Sequence, residues 1–127
     1  MSIINQNRAP EQVSLPGFEG RYDEAAAMAV GFEAYAADQD PAPLFAGLPD
    51  DACQCQHWGY VVRGRMTFRY SDGTEETAHA GEAYYARPGH TPLLLAGTEV
   101  VEFSPADQLA ATMEVVTRNL AAAGTTS

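Results

Sequence analysis

The sequence has no lysine, one tryptophan and two cysteines in 127 residues. Its seven basic residues are all Arg and face 17 acids, for a formal net charge of −10. A field of that sign repels phosphate backbones and anionic headgroups, so nucleic acids and membrane surfaces are not expected partners. Long apolar runs are missing too, and none reaches the length a bilayer span needs. The stretch from Met1 to Arg8 is polar and lacks the apolar centre of a signal peptide. A soluble cytoplasmic protein is expected. The length is that of one domain, able to bury roughly two-thirds of its unfolded surface without staples.

The two cysteines, Cys53 and Cys55, are one residue apart. On a strand their Cα atoms would lie about 6.5–7 Å apart, near the upper limit for a disulfide. Two thiols in a reducing compartment are the better expectation.

Residues 1–20 show no sustained period and predict a mobile arm, or an edge segment laid on the body. From Tyr22 to Asp38 alanine favours helix, but Met28, Val30 and Phe32 alternate with Ala29, Gly31 and Glu33, which predicts a strand. Prolines at 41, 43 and 49 forbid regular structure around Leu44, Phe45 and Leu48. From Cys53 to Phe103 short β-type runs alternate with turns, among them the hairpin signal Ser71-Asp72-Gly73. Closely spaced short strands predict a sandwich or barrel.

The C-terminal segment changes period. Ser104 is placed to cap a helix, with Pro105 at its first position and Asp107 in its first turn. Leu109, Met113, Val116 and Leu120 then form one apolar stripe, packed onto the barrel or a second subunit. The expected division is an arm over 1–20, a barrel over 21–104, a helix over 105–122 and a tail over 123–127.

Cys53, Cys55 and His57 occupy alternate positions entering a strand, and on a regular strand they point the same way. Thiolates and imidazole suit zinc and are acceptable to iron. Like-facing strand residues are about 6.8 Å apart, so neighbouring members of the series can share an ion while the outer pair is stretched. His90, in the turn Pro88-Gly89-His90-Thr91-Pro92, can reach the same barrel mouth. The bland alternative makes the cysteines core thiols and His57 a hydrogen-bonded barrel histidine. His79 is expected at the surface. Arg63, Arg65 and Arg69 alternate on one face, as a solvated face paired with acids or as a carboxylate clamp.

The run His57-Trp58-Gly59-Tyr60-Val61-Val62-Arg63-Gly64 resembles the end of the first cupin motif, and Gly81 to Gly89 resembles the second. The resemblance covers roughly 26–104 and implies an all-β double-stranded β-helix, the jelly-roll barrel, with one C-terminal α-helix. The usual metal ligands do not carry over. The two histidines of the first motif fall at Asp51 and Cys53, its glutamate at His57, and the second motif's histidine at Pro92. A subset of bacterial cupin-domain proteins similarly shows Cys ahead of His-x-Gly-Tyr-Val and a Pro-Gly-His turn.

The resulting expectation is a small cupin metalloprotein. It holds a divalent metal, zinc or iron, through His57, Cys55, His90 and Cys53. Tyr60, Met66, Phe68, Tyr84 and Arg87 line a small-molecule site in the barrel. Tyr85 or Glu102 serves as a proton shuttle if the protein is an oxygenase, isomerase or cyclase. The alternatives are a non-catalytic metal- or metabolite-binding module and a metal-free barrel. A homodimer is expected from the aromatic strands and the amphipathic helix.

Overall fold

The computed structural model describes residues 3–124. The stretch expected as an arm or an edge segment supplies the edge strand and the start of the second, and the ambiguous stretch from Tyr22 continues the sheet. The edge strand β1 (Glu11–Leu15) pairs with β2 (Phe18–Ala25), and β2 with β3 (Met28–Tyr35), all antiparallel. The single strand expected over Tyr22 to Asp38 is therefore two. They are joined by Ala26 and Ala27, both left-handed at φ 51° and 64°. A two-residue turn of that type is normally made by Asn-Gly, so alanine there carries no turn signal.

The remaining strands are β4 (His57–Arg63), β5 (Arg65–Tyr70), β6 (Glu75–His79), β7 (Ala83–Ala86), β8 (His90–Leu93) and β9 (Thr98–Pro105). They form a six-stranded sheet ordered β1-β2-β3-β9-β4-β7 and a three-stranded sheet ordered β6-β5-β8. Between the sheets lies a core of Tyr35, Val61, Met66, Phe68, Tyr70, Ala86 and Val100. This is the expected jelly-roll barrel with one C-terminal helix.

The helix, α1 (Ala106–Gly124), starts later than expected. Pro105 is the last residue of β9, opposite Met28, and the Ser104 side chain turns inward to His57 instead of capping. Its apolar residues Leu109, Val116 and Leu120 pack with Phe45, Cys53, Cys55, Leu44 and Leu48 in a second core cluster. The proline-rich loop is thus a platform for α1. Because α1 runs to Gly124, the tail expected from 123 lies, from 125 onward, outside the described residues.

One row of residues crosses five strands of the large sheet: Tyr22, Gly31, Glu102, Gly59 and Tyr84 are successive partners. Each glycine makes room for a tyrosine ring. A Cβ on Gly59 would lie 2.2 Å from the Tyr84 ring, and one on Gly31 would lie 2.8 Å from that of Tyr22. Both rings can therefore lie flat along the sheet. Gly59→Ala should lose about 2–3 kcal/mol of stability by overpacking. In a Tyr84→Ala background the same substitution should cost less than ~1 kcal/mol. Urea denaturation of the four proteins checks this, and equal costs in both backgrounds would reject the role given to Gly59.

Candidate functional site

His57, Gly59 and Val61 point to the inner face of β4, and Glu102 and Ser104 do so on β9. His57 Nδ1 lies 2.7 Å from Ser104 Oγ and 3.1 Å from Glu102 Oε1. Its other nitrogen, Nε2, is 3.6 Å from Cys53 Sγ. His90 Nδ1 is 2.6 Å from the Arg87 carbonyl. A carbonyl only accepts, so this Nδ1 carries the proton and Nε2 keeps its lone pair. In the tautomer in which Nδ1 of His57 donates to Ser104, both imidazoles carry a lone pair on Nε2, that of His57 facing Cys53 Sγ. A partner on the far nitrogen is the usual way a ligating histidine is oriented.

Cys53, His57 and His90 each offer a donor atom, and these atoms all lie within 4.8 Å of one another. The three are buried, at 3%, 7% and 1% exposure. The sequence series converges differently from expectation. Cys53 precedes β4 and is tied by a bridge to His90, so the chain is not a regular strand there. The outer pair, Cys53 and His57, comes together, and Cys55 between them does not join. Its thiol donates to the Gln56 carbonyl at 3.3 Å, although both cysteines share the cluster beneath α1.

Burial governs the titration of this group. It pushes the His57 and His90 imidazoles down to about 4 and the Cys53 thiol up to about 11. At neutral pH the 3.1 Å approach of His57 to Glu102 therefore brings together a neutral ring and the carboxyl rather than an ion pair, and the ring's hydrogen bond on that side is to Ser104.

Next to the donors are two carboxylates that the sequence analysis did not pair. Glu33 Oε2 accepts from the Tyr22 hydroxyl at 2.6 Å and Oε1 from the Tyr35 hydroxyl at 3.0 Å. Glu102 Oε2 accepts from the Tyr84 hydroxyl. Burial raises both carboxyls to about 7, and the Glu102 charge adds to the rise at Glu33. Glu33, Tyr22 and Tyr35 escaped notice because the apolar alternation of Met28, Val30 and Phe32 draws the eye to the other face of β3. The available signal was an acid flanked at i±2 by Gly31 and Tyr35.

A cavity of about 590 Å³ opens beside these carboxylates. Tyr22, Glu33, Glu102 and Ser104 line it from the sheet, and Leu109 and Met113 line it from α1. None of the three metal-type donors lines it, so His57 is its link to them, through Ser104 and Glu102.

The other expected site residues are dispersed. Tyr60 and Tyr85 point away from the barrel interior and are 47% and 45% exposed, and the Tyr85 hydroxyl donates to Gln56. Met66 is closed inside the core. Phe68, Tyr84 and Arg87 border a second hollow of about 400 Å³ between β6 and β7. Arg87 also stacks on Tyr70 and pairs with Asp72. His79 is exposed, as expected. Arg69 pairs with Asp40, while Arg63 and Arg65 are exposed, in line with a solvated face.

No family model and no curated protein matches the chain. Solved structures do. An RmlC-like cupin from Shewanella frigidimarina is 15% identical, with a TM-score of 0.58 over 84% of this chain and 92% of that one. KdgF from Halomonas sp. is 16% identical, with a TM-score of 0.51 over 80% and 90%. Ectoine synthase from P. lautus is 9% identical, with a TM-score of 0.58 over 84% and 78%. At these identities the likeness concerns the fold.

The raised carboxyl of Glu33 has a consequence for stability. A carboxyl with a folded-state pKa above its unfolded value favours the folded state at low pH, and that contribution is lost as pH rises from about 4.5 through about 7. Glu33→Gln removes it. Relative to the wild type, the variant should gain at least ~1 kcal/mol between pH 4.5 and pH 8. Denaturant titrations at both pH values measure this, and a pH-independent difference would contradict it.

Proposed function

We propose that this cupin barrel is a small-molecule-binding metalloprotein whose divalent metal is held by Cys53, His57 and His90. The observation that carries the reading is the convergence of one sulfur and two imidazoles, with each Nδ1 already engaged elsewhere. This donor set fits zinc, and iron less well. When bound, the metal supplies Lewis acidity or a structural clamp. The small molecule occupies the cavity beside Glu33 and Glu102.

A catalytic version of the reading, of the oxygenase, isomerase or cyclase type, is favoured by the two carboxyls near pH 7 on the cavity wall. Each lies within hydrogen-bond reach of a tyrosine and can hold or release a proton there. A non-catalytic binding or sensing module is favoured by the burial of all three metal-type donors away from the cavity.

A homodimer also fits the surface. Trp58, Tyr60, Val62, Tyr85 and Phe103 lie exposed on the outer face of the large sheet, with Trp58 opposite both Tyr85 and Phe103. Such an aromatic patch is larger than isolated surface residues require.

Protein purified without an affinity tag and dialysed against zinc should bind close to one ion per chain. Cys53→Ala, His57→Ala and His90→Ala should each lower the affinity by about a hundredfold or more, whereas Cys55→Ala should leave it within about threefold, since its thiol points elsewhere. Equal losses for Cys55→Ala, or no zinc in the wild type, would reject the assignment. In sedimentation the wild type should run as a dimer and Trp58→Asp combined with Tyr60→Asp as a monomer. A wild-type monomer at all concentrations would reject the interface.

A further inference from the structure

The walls of the 590 Å³ cavity carry charge of one sign only. Glu11, Asp23, Glu24, Glu33 and Glu102 line it, and no Arg or His does. Two of these acids are not surface groups. The Glu102 side chain is 13% exposed, and Glu33 is half-buried on the sheet floor. Among the described residues no Arg pairs with either. A buried carboxyl is accommodated by a paired cation or by holding its proton, and here no Arg supplies the cation.

The hydrogen-bonding inventory points the same way. The Tyr22, Tyr35 and Tyr84 hydroxyls already donate to these carboxylates, so the floor offers a guest acceptors and few donors. Each carboxylate has about four lone-pair positions and uses only some of them on its protein partners. The opposite wall, Leu109 and Met113 of α1 with Val13 of β1, is apolar. The Tyr22 ring, held flat over Gly31, adds a π face.

We propose that the cavity is a receptor for a small organic cation, a protonated amine or guanidinium on a short apolar chain. Its charged nitrogen donates to Glu33 and Glu102, and its carbon chain lies against Leu109 and Met113. An anionic guest would meet five carboxylates with no donor cation to hold it. A neutral guest would offer these carboxylates no counter-charge. The proposal deepens the small-molecule half of the reading above and rests on it, but it does not depend on the metal.

The test uses n-butylammonium, 1-butanol and butyrate as probes at one ionic strength, with saturation-transfer NMR and calorimetry on the full chain. Butylammonium should bind at least about tenfold more tightly than the other two. Glu33→Gln and Glu102→Gln should each weaken it about tenfold. Glu114→Gln, at an exposed position on α1, should leave it unchanged. Should either cavity variant fail to fold, Met113→Trp, at a half-exposed helix position on the cavity wall, should block the site without touching the carboxylates. Equal binding of butanol would overturn the cation preference while leaving a small-molecule cavity. No binding of any probe would overturn both, and zinc uptake would still report on the metal separately. Butylammonium binding insensitive to Glu33→Gln, Glu102→Gln and Met113→Trp would mean general attraction to an acidic protein and would also overturn the proposal.

Discussion

The inner face of this barrel is organised around one buried carboxylate, that of Glu102. It sits in the middle of a row that crosses five strands, with a glycine on each side and a tyrosine beyond each glycine. The glycines let the rings lie flat, so the Tyr84 hydroxyl reaches Glu102 and the Tyr22 hydroxyl reaches Glu33. A carboxyl in that position is accommodated by the Tyr84 hydroxyl that donates to it and by a raised pKa of about 7. Removing that hydroxyl leaves an unpaired acceptor in a poorly solvated place, so the row constrains residues on five different strands at once.

The same carboxylate joins two compartments. On one side His57 turns its Nδ1 to Glu102 and Ser104, and this directs Nε2 toward Cys53 and His90. On the other side Glu102 and Ser104 form part of the cavity wall beneath α1. A change of charge at Glu102 would therefore be felt by the His57 ring and by any cavity guest together. That coupling is short, spanning 3.1 Å between the ring and the carboxylate, and needs no movement of the backbone.

The barrel was legible because its evidence is local. Asp72-Gly73, Gly81 and Gly89 punctuate short β runs, and the alternation within each run survives in the structure. His57, His90 and Cys53 were legible as residue types near one mouth. The irregular path from Cys53 to Gln56 was not. Both cysteines pack in the cluster beneath α1, and this path decides that the Cys53 sulfur also meets the histidines while the Cys55 thiol turns to the Gln56 carbonyl. The turn at Ala26 and Ala27 was hidden because alanine rarely takes a left-handed conformation, so one strand was expected where two exist. The Tyr-Gly-Glu-Gly-Tyr row was invisible for another reason. Its members are 22, 31, 102, 59 and 84, and only pairing register brings them together. Pro105 likewise looked like a helix start until its pairing with Met28 placed it in β9.

The claim most exposed to test is that sulfur and two imidazoles share one ion behind the cavity wall. Crystals grown with zinc and measured across its absorption edge would decide it. The account predicts a single anomalous peak within bonding distance of Cys53 Sγ, His57 Nε2 and His90 Nε2, about 2.0–2.3 Å. A peak bound by Glu33 and Glu102 inside the cavity, or none near His57, would contradict it.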